Sequence, residues 1–324
     1  MNAGAFLRDL EAKPAALRRL AGWLRVDDPW RAVPRDVRRA IVLGMGSSRF
    51  ASLGATPRLR AAGIDAVAEY AGAREAHPGG PGTLAVAISA SGRTQQTVAA
   101  ARRHRDAGSL TVALTEDRGS PLGEAADVIV ELAAGSEEGG VACRSFQHTV
   151  VHLLAMRERL TGGSVGDVAA AAERAAAATE DLLGRRDAWL GSAVERLTTT
   201  GSAFLVAPAE RRSSAEQGAL MFREGPRLVA DACETADWSH VDVYLTKPLD
   251  YRALVFAGSH GDEELMRWIR ERRSTVVAVG GELPGAEGSI RYRHDDDEVV
   301  ALITEILVPE LVAASAWVGQ GGTR

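Results

Sequence analysis

Cysteine is nearly absent from this sequence: Cys143 and Cys233 are the only two in 324 residues, far apart and in no CxxC spacing. A disulfide framework and a thiolate-rich metal motif are both excluded. A dominant charge is lacking too, since 38 basic side chains face 43 acidic ones, giving a net charge of -5. Such a balance offers no general attraction to nucleic acid or to an anionic membrane. The opening MNAGAFLRDLEAKPAALRRL mixes apolar and charged positions, with no apolar core of signal-peptide length. No apolar run is expected to approach the eighteen or so residues that span a bilayer. These absences predict a cytoplasmic protein with neither a membrane nor a nucleic acid as partner. What is present is an ordinary globular composition, 46% apolar and 25% charged, in a chain long enough for two domains or one large one.

One pattern occurs twice. RAIVLGMGSS is a buried-strand run ending in glycine and serine, and LAVAISASGRT, a helix-like stretch and LTVALTED follow it. In the second half GSAFLVAPAERR matches the first strand and its turn. ALVFAGSHGDEELMRWIRERRSTVVAVGGE then repeats strand, turn, helix and strand. Strands alternating with helices predict an α/β fold with a parallel sheet in each half, every half a three-layer αβα sandwich related to the other by an internal pseudo-repeat. The expected domains are a helical leader over 1–36, a first domain over 37–160, an alanine-rich helical connector over 161–198, a second domain over 199–308, and a C-terminal helix and tail over 309–324. Pro14 suggests a second helix start in the leader, and Pro309 a break in the last helix. The closing Gly-rich stretch reads as a flexible tail.

SASGRT, residues 89–94, joins a strand to a helix. Backbone N–H groups and hydroxyls at the positive end of a helix dipole form a socket for an anion. No lysine follows as in a P-loop, and no third glycine as in a dinucleotide fingerprint. A small phosphate monoester suits short neutral donors. The plain alternative is that Ser89, Ser91 and Thr94 only cap the helix and form the turn. Gly-Met-Gly-Ser-Ser at 44–48 places a second pair of hydroxyls at a strand end, on the edge where open α/β sheets bind ligands.

GMGSS, SASGRT, TEDRGSPLGEAADVIVE and EEGGVACRSF, in that order, resemble the sugar isomerase (SIS) domain of phosphosugar-binding proteins. AEQGALMFREG and ADACETADWSH resemble the second SIS domain in the isomerase part of glucosamine-6-phosphate synthase and its stand-alone relatives. DLEAKPAALRRL resembles the leader before the first. The resemblance implies a hexose phosphate held by Ser47 and Ser48 from one turn and by Ser89, Ser91 and Thr94 from the other. Gly46, Val141, Ala142 and Arg93 would line the sugar pocket. Two positions depart from the family: Ala90 stands where glutamine is usual and Arg93 where an acidic residue is common. Arginine is able to pair with phosphate directly.

For the chemistry, the resemblance points to Glu224 as the base that moves a proton between C1 and C2, and to His240 as the ring-opening group. Glu224 precedes Gly225-Pro226, a helix stop, so a helix C-terminus is expected to raise its pKa. On residue type alone both would be surface or structural side chains. His148 and His152, spaced i, i+4, have metal-ligand spacing, but with no carboxylate beside them they read as surface or core residues. Cys143 lacks an activating base and reads as packing or pocket lining. His260, in the repeat of the SASGRT turn, has no assigned role.

The chain begins at its leader, so glutamine amidotransferase chemistry is not expected. The family's C-terminal lysine has no counterpart in WVGQGGTR. The expectation is a sugar-phosphate isomerase or an amino-sugar-phosphate deaminase or deglycase, without metal or organic cofactor, acting as a homodimer. The alternative is a phosphosugar sensor without turnover. A phosphoglucose or phosphomannose isomerase fits the second-half motifs less well.

Overall fold

The computed structural model describes residues 1–321. It divides into two compact units: one of Ala16–Ser136 with Arg144–Ala172, the other of Met1–Ala15, Glu137–Cys143 and the chain from Glu173 on. Both are α/β, as expected, and each is built on one five-stranded parallel sheet.

In the first-sheet unit β1 (Arg39–Gly44), β2 (Asp65–Tyr70), β3 (Thr83–Ile88), β4 (Leu110–Thr115) and β5 (Val128–Glu131) lie in the order β2-β1-β3-β4-β5. All six residues of β3, TLAVAI, are buried, because helices cover both faces of a parallel sheet and its central strands must be apolar throughout. α1 (Ala3–Glu11) and α2 (Lys13–Val26) form the leader, with Pro14 at the start of α2 where a missing N–H costs nothing. α3 (Ser47–Ala61), α4 (Gln95–Asp106), α5 (Pro121–Glu124) and α6 (Arg144–Thr161) follow, and the alanine-rich connector is α7 (Val165–Gly184). The chain leaves β1 for β2 on one side and returns past it to β3. The order therefore reverses between β1 and β3, and a crevice forms at their carboxyl ends.

The second-sheet unit carries α8 (Leu190–Thr198), β6 (Ser202–Ala207), α9 (Arg212–Glu224), β7 (Val229–Glu234), β8 (Arg252–Phe256), α10 (Asp262–Arg272), β9 (Thr275–Val279) and β10 (Gly288–Ile290). Its order, β10-β9-β8-β6-β7, is the first sheet's topology read from the opposite edge, which bears out the repeat. α11 (Glu298–Thr304) and α12 (Leu307–Gly319) close the chain.

Two expectations are corrected here. The last helix breaks at Glu305–Ile306, before Pro309, which sits in the first turn of α12 where proline is tolerated. Trp317 to Gly319 belong to that helix, and the last three residues of the expected tail lie outside the described residues. The segment Glu298–Gly319 is also long and apolar enough to span a bilayer, contrary to the expectation that no apolar run approaches that length. Most of it is buried in the second-sheet unit, so its apolar character serves a core helix.

His148 and His152 on α6 are core residues. His148 Nδ1 and His152 Nε2 lie 3.1 and 3.2 Å from the same carbonyl oxygen, that of Leu132, and Trp23 meets the His152 ring edge-on at 5.7 Å. Burial depresses their pKa values to about 3 and about 4. In the unfolded chain each titrates near 6.5, so the unfolded state takes up protons that the folded state refuses. This stability is complete above pH 6.5 and falls below it, by about 1.4 kcal/mol per pH unit for each histidine. Urea unfolding between pH 7 and pH 5 should show that slope, and His148→Gln with His152→Gln should flatten it.

Candidate functional site

Gly44 ends β1 packed so closely on the next turn that a Cβ would lie 2.8 Å from the backbone nitrogen of Arg49. This approach brings Ser47 and Ser48, half-buried, onto the first turn of α3 beside β1's carboxyl end. β1 pairs with β3 in register, Leu43 opposite Ala87. The second turn, residues 89–94, therefore emerges alongside the first, at the point where the strand order reverses.

In that second turn Ser89 is buried and its Oγ lies 3.1 Å from Thr94 Oγ1. Ser91 is exposed, and its Oγ accepts the Arg93 N–H at 3.3 Å. Gly92 has φ of +64°, and a Cβ on it would fall 2.0 Å from Ser120 Oγ. Gly92→Ala is expected to destabilise the protein by about 1 to 3 kcal/mol, measured by urea unfolding, because the left-handed backbone and the clash act together.

The helix N-caps bear on the two readings of these hydroxyls. α4 has Thr94 at its N-cap and α3 has Gly46, and neither helix receives a side-chain cap from that residue. Neither N-cap side chain therefore takes up the first-turn N–H groups, although in α3 the Ser48 N–H donates to the Met45 carbonyl at 3.2 Å. Arg93 does not close the socket: its guanidinium bonds Asp117 at 2.8 Å, with both side chains largely exposed.

The equivalent turn of the second sheet is built differently. After β8, the Asp262 carboxylate at the start of α10 accepts the N–H groups of Gly258 and Ser259 at 2.7 and 3.1 Å. There the protein's own carboxylate occupies the backbone donors. In the first sheet the corresponding stretch supplies only neutral glutamines, Gln95 and Gln96. His260 is exposed in this turn.

Glu224 is the last residue of α9, as its Gly-Pro neighbours predict, and is half-buried. Its pKa is raised by burial, against the opposing pull of Arg227 and Arg223. His240 is exposed in the loop after β7. Since α9 runs back along the sheet to the start of β7, and the loop leaves the end of β7, the two residues lie toward opposite ends of that six-residue strand. One copy of the chain does not bring them together.

Val141 is buried and Ala142 half-buried, in a loop that packs within the second-sheet unit. Asp9 accepts the Gly139 N–H at 2.7 Å, Glu137 accepts that of Cys143 at 2.7 Å, and Gln217 Nε2 on α9 donates to the Ala142 carbonyl at 2.9 Å. Cys143 is fully buried and its thiol pKa is pushed well up by burial, consistent with packing. Sequence reading missed Asp9 and Gln217. A lone acid on the apolar face of the leader was the available signal for the first.

Residues 35–157 match the SIS domain model. The chain is 28% identical over 287 residues to the glutamine--fructose-6-phosphate aminotransferase [isomerizing] of Pyrobaculum aerophilum, an alignment covering 85% of this chain and 46% of that protein. The chain thus spans less than half the length of this curated relative. Among solved structures, the C-terminal domain of glucosamine-fructose-6-phosphate aminotransferase from Francisella tularensis superposes with TM-score 0.85 at 15% identity, covering 98% of this chain and 97% of that one. Glucosamine-6-phosphate deaminase from Thermotoga maritima gives 0.75 at 17% identity, covering 98% and 95%. Residues 35–157 of this chain are thus similar to the SIS domain, and the whole chain has a two-sheet fold like that of the Francisella tularensis C-terminal domain.

Proposed function

We propose that the protein binds a hexose phosphate or amino-sugar phosphate and acts on it as an aldose-ketose isomerase or a deaminase. One observation carries this reading: two hydroxyl-bearing turns, each opening a helix without a side-chain cap, stand side by side where the strand order of a SIS domain reverses. Ser47, Ser48, Ser89, Ser91 and Thr94 hold the phosphate, with helix N–H groups completing the shell. Gly46, Val141, Ala142 and Arg93 face the sugar. Glu224 transfers the proton between C1 and C2, its raised pKa bringing it toward working pH. His240 assists ring opening. Because these two lie toward opposite ends of β7 in one copy, each site draws its base and its ring-opening group from different copies, and the active species is a homodimer. Proton transfer of this kind calls on side chains alone.

A sensor without turnover is the second reading, favoured by Ala90 and by the commitment of Arg93 to Asp117 in the altered turn. Incubation with fructose 6-phosphate or glucosamine 6-phosphate, followed by carbon NMR, separates the two. Isomer or deaminated product is the expected result. Thermal stabilisation by the sugar phosphates without conversion would establish the sensor. Absence of both would remove the phosphosugar reading.

A further inference from the structure

We propose that Tyr251 is the positioning residue for His240, acting through Trp238 and Asp242; this rests on His240 being the ring-opening group. His240 is the midpoint of a short loop segment whose two shoulders, Trp238 two residues before and Asp242 two residues after, bond the same phenol oxygen. Trp238 Nε1 donates to Tyr251 Oη at 2.8 Å, and that hydroxyl donates to Asp242 Oδ2 at 2.9 Å. A phenol is at once acceptor and donor, so one atom closes both sides of the loop.

The clamp is buried where its target is not. Trp238, Tyr251 and Asp242 are 0%, 1% and 6% exposed, whereas His240 is exposed. Tyr251 immediately precedes β8, and its ring stacks on Phe204 of β6 with centroids 4.3 Å apart and planes at 17°. The loop is thereby referred to the two central strands of the second sheet. The backbone repeats the closure: the Trp238 carbonyl accepts the N–H groups of Val241 and Val243 at 3.2 and 3.0 Å, and His240 N–H reaches the Asp237 carbonyl at 2.9 Å. No side-chain hydrogen bond holds the His240 ring among the described residues, so the loop backbone sets where it stands. A carboxyl is costly to bury, and burial raises the pKa of Asp242 while the Tyr251 hydrogen bond opposes the rise. An apolar pair would fill the same space, but it would not tie positions 238 and 242 to one point.

Tyr251→Phe tests this by removing only the shared oxygen. Hydrogen exchange at the amides of 241 and 243 is expected to speed up about tenfold or more, the scale set by losing two buried hydrogen bonds. Unchanged exchange overturns the clamp. With fructose 6-phosphate as substrate, kcat should fall about tenfold while KM stays within about twofold. In a His240→Asn background the same substitution should cost nothing more, because Tyr251 acts only through His240. An equal loss in that background would show a general structural role and overturn the proposal. Asp242→Asn, which keeps an acceptor oxygen, should stay near wild type and serves if Tyr251→Phe fails to fold: faster exchange at 241 and 243 in Asp242→Leu but not in Asp242→Asn is then expected, and no difference overturns. If wild-type protein turns over neither fructose 6-phosphate nor glucosamine 6-phosphate, the enzymatic reading of His240 fails, while the exchange data still judge the clamp.

Discussion

Replacing Glu224 by glutamine is expected to cut sugar-phosphate turnover by about a thousandfold, within the range that positioned general bases contribute. The substitution keeps shape and hydrogen-bonding capacity and removes only the proton acceptor. Affinity for the sugar phosphate should change little, since its phosphate is held by other residues. The pH dependence follows from the direction of the shift. Glu224 is active when ionised, and burial raises its pKa above the ordinary 4.5, so the acid limb of kcat/KM must lie above that value. A glutamine variant that retains wild-type turnover would take the proton transfer away from Glu224.

Lys13→Met is expected to destabilise the fold by about 3 to 5 kcal/mol, the cost of leaving a buried charge without its partner. Lys13, the first residue of α2, bonds Glu310 on α12, and neither side chain has any exposed surface. Burial already raises the Glu310 pKa to about 7, with Glu137 adding to the rise and Lys13 opposing it. Without the ammonium, Glu310 would stay protonated in the folded state, while in the unfolded chain it ionises near 4.5. The deficit should thus be largest near pH 8 and shrink toward pH 5, as urea unfolding at the two values would show. Lys13→Met with Glu310→Leu should recover most of the loss. A single substitution that costs less than about 1 kcal/mol at pH 8 would mean that the pair is not what holds these helices.

The fold was legible because its strands are nearly continuous apolar runs ended by Gly and Ser, as RAIVLG and TLAVAI show, and because the pattern recurs. The strand-to-helix turns were legible for the same reason, since Gly44 and Gly92 mark places where only glycine fits. Other features depend on contacts distant in sequence. Glu310 stands inside an apolar helical stretch, a signal of buried pairing that names no partner, whereas Lys13 sits among other charges of the leader and carries no such signal. Arg211 with Glu305 is a second such buried pair. The partner of Arg93 lies across the turn, at Asp117, and no local pattern connects them. The cause of the raised Glu224 pKa also differs from the helix-terminus argument, because burial is the leading influence. The Tyr251 clamp escaped because tyrosine at a strand start is ordinary until its hydroxyl is seen between two loop residues.

Phosphate recognition by the paired turns is tested most directly by calorimetric titration of fructose 6-phosphate and of fructose into the wild type and into Ser48→Ala/Ser91→Ala. Binding of the phosphorylated sugar alone, weakened at least about tenfold in the double variant, is the expected result, given what hydrogen bonds to a charged group contribute. Equal binding of the two sugars, or an unchanged affinity when both hydroxyls are gone, would contradict it.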